Sequence, residues 1–154
     1  MQAIHDTSHA LRLLPGADLR NSLIDFVKEK NKYAGWIVTC VGSLAKYNMR
    51  FANEPGVSTG DGFFEIISLS GTVSINAAHL HICIADSSGK TIGGRLMEGC
   101  KIYTTAEIVL VESGKSIFNR EKDAGTSWNE LHIVVNSRTE FAIKAHIAIF
   151  ISFN

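Results

Sequence analysis

The sequence predicts an α+β domain, a mainly antiparallel β-sheet with one principal α-helix packed on it, and three observations lead there. Apolar runs rich in β-branched residues recur along most of the chain, separated by glycine-bearing turns, most clearly over residues 62–110. One segment alone, close to residues 19–30, repeats its apolar residues at helical spacing. Strand therefore follows strand, which favours hairpin connections over the strand–helix alternation of a parallel sheet. A chain of 154 residues, 45% hydrophobic and 19% charged, suits a single globular domain.

Taken in order, residues 9–14 form a short opening strand closed by Pro15-Gly16. Asp18 is placed to cap a helix, since its carboxylate can accept from the free N–H groups of the first turn. Leu19, Leu23, Phe26 and Val27 make the buried face, and the helix fades by Asn31. Residues 36–41 (WIVTCV) read as a strand buried on both faces and broken by Gly42-Ser43. Ala45, Tyr47, Met49 and Phe51 then alternate with Lys46, Asn48 and Arg50, a half-exposed strand. Residues 53–61 are loop by composition. Three apolar runs follow: GFFEIISLSG, AHLHICIADSSG and KTIGGRLMEGCKIYTTAEIVL. After Ser113-Gly114-Lys115 the pattern becomes less regular. Beyond Ile133, alternation from Phe141 to Ile151 suits either one more strand or an extension, so the chain divides into residues 1–133 and 134–154.

Composition narrows the function. Fifteen Lys and Arg balance fifteen Asp and Glu, so the chain lacks the positive surplus that drives binding to phosphate backbones. Direct DNA binding is not expected, whereas zero net charge favours self-association. Cys40, Cys83 and Cys100 are odd in number and show no CxxC spacing, which fits a reducing compartment. The opening residues have no signal-peptide pattern, and the longest apolar tract, 141–153, is interrupted by Lys144 and His146. That tract also falls short of the ~20 residues of a membrane-spanning helix. The expectation is an intracellular, cytoplasmic protein with no membrane partner.

Four short motifs together carry a family resemblance. They are Gly62 with Phe64-Glu65-Ile66-Ile67-Ser68-Leu69-Ser70-Gly71, His79-Leu80-His81, Gly93-Gly94, and Thr105-Ala106-Glu107, with Phe118 and Arg120 beyond them. In order and spacing they resemble the plant- and prokaryote-conserved (PPC) domain, also called the domain of unknown function 296, over about residues 10–131. The resemblance implies the same α+β fold and a homotrimer. In plants such domains stand beside AT-hook DNA-binding motifs, and analogy with them would admit a nuclear location. The Arg-Gly-Arg-Pro core of an AT-hook is absent here.

The residues that bear chemistry cluster on few strands. Alternation puts His79, His81 and Cys83 on one side of their strand and Leu80, Ile82 and Ile84 on the other. Two imidazoles at that spacing can converge on zinc or a similar divalent metal, but a third ligand is required. In many prokaryotic PPC proteins a further histidine follows the paired glycines; here the position is Arg95. Arg95 beside two histidines suits an anion, or equally an ion pair with Glu65 or Glu107, acids set within apolar strands. The segment Gly62, Phe63, Phe64, Glu65, Ile66, Ile67 resembles the motif through which plant PPC domains contact other proteins, with Phe63 where Arg is common. By simple alternation Phe63, Glu65, Ile67 and Leu69 share a face.

No complete catalytic constellation appears, so no catalytic residue is assigned. The reading is a homo-oligomeric, trimeric binding or scaffolding module that regulates through protein partners. The alternative is a metal- or small-anion-dependent enzyme or ligand sensor working through the His79/His81/Arg95 face.

Overall fold

The computed structural model describes residues 6–135. Its elements run β1 (Thr7–Leu13), α1 (Leu19–Glu29), β2 (Gly35–Arg50), β3 (Ser58–Val73), β4 (Ala78–Ala85), β5 (Thr91–Leu96), β6 (Lys101–Glu112), β7 (Ser116–Lys122) and β8 (Asn129–Val135). The first six strands form one antiparallel sheet in the order β1-β6-β2-β3-β4-β5, as the α+β reading expects, and β7-β8 is a separate hairpin. The N-terminal end of β5 pairs with β4, while Arg95 and Leu96 also pair with Arg50 and Met49 at the end of β2. Strands β2 to β5 thereby close on themselves. No helix among the described residues is long and apolar enough to cross a membrane.

The helix forms where its cap and its apolar stripe demand it. Asp18 accepts a hydrogen bond from the Asn21 N–H at 3.0 Å through one oxygen and from the Gly99 N–H at 2.7 Å through the other. One carboxylate therefore starts α1 and pins it to the turn before β6. Leu19, Leu23 and Val27 are fully buried among Leu44, Met49, Leu80, Ile84, Leu96 and Ile108. Phe26 lies at the margin of that core.

Two sequence expectations fail at glycine and at a bulge. Gly42-Ser43 does not end a strand, because β2 runs unbroken through it. Gly42 adopts φ +146°, and a Cβ there would run into the Thr105 carbonyl of β6, so the glycine lets two strands approach closely at a register shift. Nor is β2 buried on both faces, since Val38 and Val41 are exposed. In β3 the register slips between Ile66 and Ser68. The extra residue turns Leu69 inward beside Ile66 and leaves Ile67 outside, so Leu69 does not share a face with Phe63. Strand β3 begins at Ser58, inside the presumed loop, and the third apolar run is two strands, β5 and β6.

The irregular stretch after residue 115 is the β7–β8 hairpin. It docks on the connection between α1 and β2 and on the chain reversal after β3: the Phe118 N–H donates to the Tyr33 carbonyl at 2.8 Å, and the Ser74 hydroxyl donates to the Phe118 carbonyl at 2.9 Å. Ser74 is almost wholly buried, so this bond replaces lost solvation. The alternating segment 141–151 lies outside the described residues.

Candidate functional site

Strand β4 orients the histidines as alternation requires. Leu80, Ile82 and Ile84 enter the core, while His79 is half-buried and His81 exposed on the other side. Their Nε2 atoms stand 3.0 Å apart, a hydrogen bond in which one ring donates and the other accepts. Burial, followed by the charges of Arg95 and Arg120, lowers the His79 pKa below its ordinary value. Two neighbouring imidazole nitrogens could share a metal ion, yet no group of three or more potential His, Cys, Asp or Glu ligands occurs among the described residues. Cys83 lies opposite Gly93, further along the strand than His81 opposite Arg95.

Arg95 comes to the histidines as the sequence suggests. It sits opposite His81 across β4–β5 and opposite Arg50 across β2–β5. The anticipated ion pair is not formed: among the described residues no carboxylate oxygen lies within 4.0 Å of Arg95. The topology explains why. Glu65 lies opposite Ser43 and Ala85, and Glu107 opposite Arg12 and Val41, so both belong to other stretches of the sheet.

The histidines and Arg95 line a cleft of about 1060 Å³, walled on its other sides by Arg50, the 51–55 loop and the tip of β8. Trp128 closes it, with the Arg50 guanidinium 5.7 Å from its ring centroid. Arg120 reaches toward the same region from β7 and donates to the Thr72 hydroxyl at 2.9 Å. The sequence pattern singles out neither Arg50 nor Trp128. Arg50 looks like one polar position of an alternating strand, and Trp128 falls in the irregular stretch.

Residues 62–67 occupy β3 as the sequence suggests, with Phe64 and Ile66 toward the core and Phe63, Glu65 and Ile67 away from it. Phe63 meets Tyr103 of β6 at 4.5 Å between ring centroids. Together with Val38, Val41 and Ile67 these form an exposed apolar set on the face of β2, β3 and β6 turned away from the core.

Comparison with known proteins matches this architecture. The family model described as the Plants and Prokaryotes Conserved (PCC) domain matches residues 3–114. The bifunctional protein GlmU of Synechococcus sp. (strain JA-3-3Ab) is 42% identical over 125 residues, covering 81% of this chain and 20% of that protein. The chain thus spans about a fifth of the length of the Synechococcus relatives it matches. The AT-hook motif nuclear-localized protein 27 of Arabidopsis thaliana is 28% identical over 130 residues, 73% of this chain and 41% of that protein. A hypothetical protein of Salmonella, solved by structural genomics, aligns with a TM-score of 0.84 at 37% identity, covering 87% of this chain and 97% of that one.

Proposed function

Because the chain belongs to the Plants and Prokaryotes Conserved (PCC) domain family, we propose that it works as a homotrimeric binding and scaffolding module. In this reading the copies meet through the outer face of β2, β3 and β6. The observation that carries the proposal is the exposed set Val38, Val41, Phe63, Ile67 and Tyr103, five large apolar residues on one sheet face. Such a patch on a chain of zero net charge is costly in water and favours burial against another copy, which in a closed trimer meets it with a different part of its own surface. Glu107, exposed opposite Val41, would lie at its polar rim, while the exposed Glu65 stands between Phe63 and Ile67.

The relatives support a module used in several settings. Matching segments occur within a bifunctional Synechococcus protein and within an Arabidopsis protein named for its AT-hook. A regulatory role through protein partners is compatible with scaffolding. Native mass spectrometry of untagged protein tests the reading: a trimer is expected, and a monomer at micromolar concentration overturns it.

The register of His81 against Arg95 favours a second reading, a sensor or enzyme that binds a metal or small anion on the His79/His81/Arg95 face. Zinc would need a third ligand there, whereas the cation already at Arg95 suits an anion. Metal analysis of the purified chain separates the two: stoichiometric metal lost in His81→Ala supports the metal form.

A further inference from the structure

We propose that the cleft beside His79 and His81 is a binding site for a small phosphorylated molecule carrying at least two phosphoryl groups. The proposal rests on the second reading above and names its ligand class.

The argument begins with charge. The His-lined cleft adjoins a second depression of about 430 Å³ under α1, and the two share Arg95 and Asn129. Arg20, Lys28, Arg50, Arg95 and Arg120 line the combined surface, against Glu54 and Glu130. Five cations against two carboxylates leave an excess of three in a chain whose formal net charge is zero. These cations come from α1, β2, β5 and β7, so the fold, not a local run of basic residues, assembles them.

None of the four arginines has a carboxylate oxygen within 4.0 Å among the described residues. An ordinary surface pairs its arginines or spreads them; here four lie half-buried around a common hollow. Mutual repulsion of that kind is relieved by a bound polyanion. Burial first, and then the charges of Arg50, Arg120 and Arg20, lowers the Arg95 pKa below its ordinary value.

The geometry favours phosphoryl groups over a single carboxylate. Guanidinium forks bind tetrahedral oxyanions bidentately, and several forks from different directions need several oxyanion faces. Gly94 lets the Arg50 backbone approach closely, since a Cβ there would meet the Arg50 carbonyl at 2.9 Å, and this sets Arg50 beside Arg95. The hydrogen-bonded imidazoles offer one further donor, and the exposed ring of Trp128 offers a flat apolar wall. A cleft of about 1060 Å³ exceeds what inorganic phosphate would fill.

The test uses the full chain and three probes: pyrophosphate, ADP and citrate, titrated calorimetrically at low and moderate salt. Pyrophosphate and ADP are expected to bind, with affinity falling as salt rises. Arg95→Gln and Arg50→Gln should each weaken pyrophosphate at least tenfold, whereas Arg12→Gln, on the distant strand β1, should leave it unchanged. Urea midpoints of all variants establish that they fold, and two independent arginines guard against one variant failing. ADP should quench tryptophan fluorescence, and Trp128→Phe should abolish the quench. Citrate binding with no pyrophosphate or ADP binding would overturn the phosphoryl assignment while sparing the anion reading; no binding by any probe would defeat both. Equal loss in Arg12→Gln, or binding of a short oligonucleotide with none of pyrophosphate, would also overturn it.

Discussion

Phe63→Arg tests the outer face directly, and its magnitude follows from the structure. Phe63 keeps 64% of its surface in solvent in the single chain. A phenylalanine can bury roughly 150–250 Å², so about 100–160 Å² of it is available to a partner copy. At roughly 25 cal/mol per Å² that is about 2.5–4 kcal/mol. Ordering and imperfect desolvation take part of this, leaving about 2 kcal/mol per contact, or roughly 30-fold in affinity. A closed trimer repeats the contact three times, so the equilibrium between trimer and monomer should move by roughly four orders of magnitude. Sedimentation velocity over a wide range of protomer concentration reads that shift. Within the chain the substitution forfeits the packing of Phe63 on Tyr103, a loss of about 1 kcal/mol that leaves the fold intact. A Phe63→Arg trimer with unchanged concentration dependence would refute the assignment of this face.

Three further outcomes follow from local geometry. Leu69→Ala should cost about 2–5 kcal/mol and Ile67→Ala about 1 kcal/mol or less in urea unfolding at protomer concentrations low enough to keep the chain monomeric, because the bulge puts only Leu69 in the core; the reverse order would restore strict alternation in β3. Asp18→Asn keeps one acceptor but sets an NH2 group against one of two N–H donors and discharges the 3.5 Å contact with Lys101. It should cost about 2–3 kcal/mol, and a loss under about 0.5 kcal/mol would show that the carboxylate does not pin α1 to the turn at Gly99. His79 binds its proton less readily in the folded chain than in the unfolded one, owing to burial and the nearby arginines. Its contribution is therefore intact above the ordinary histidine value of about 6.5 and declines as pH falls through that value toward the lower folded one. His79→Gln should flatten the fall in urea midpoint below about pH 6.5, and an unchanged slope would contradict the assigned environment.

What could be read from the sequence divides by distance along the chain. The start of α1 was legible because a cap and its stripe lie within a dozen residues: Asp18 accepts from Asn21, and Leu19, Leu23 and Val27 repeat at helical spacing. The inward and outward sides of β4 were legible because the strand has no bulge. Gly42 misled because a glycine that ends a strand and one that admits a neighbouring strand look alike until β6 is placed beside it. Leu69 misled because a bulge is a property of the pairing and not of one strand. Of the candidate site, the His79/His81/Arg95 core was visible in the PPC-like motifs, but Glu65 and Glu107 looked like partners for Arg95 only while strand neighbours were unknown. Arg50 and Trp128 join the cleft through the β2–β5 closure and the docked hairpin, contacts between residues dozens of positions apart.

The pairing of β1 with β6, Thr7 opposite Glu112 and Leu13 opposite Ala106, sets a schedule. Strand β1 waits for β6 before it has a neighbour, and α1 is tied to the same region through the Gly99 turn. Meanwhile β2, β3, β4 and β5 can pair in the order they emerge, each with the strand just before it. The strands of the β2–β5 ring, with Arg50 and Arg95, are thus all made before β6, the neighbour that β1 and the outer edge of β2 await. A chain stopped before Lys101 would hold that ring with one long edge of β2 bare, an invitation to pair with another such chain.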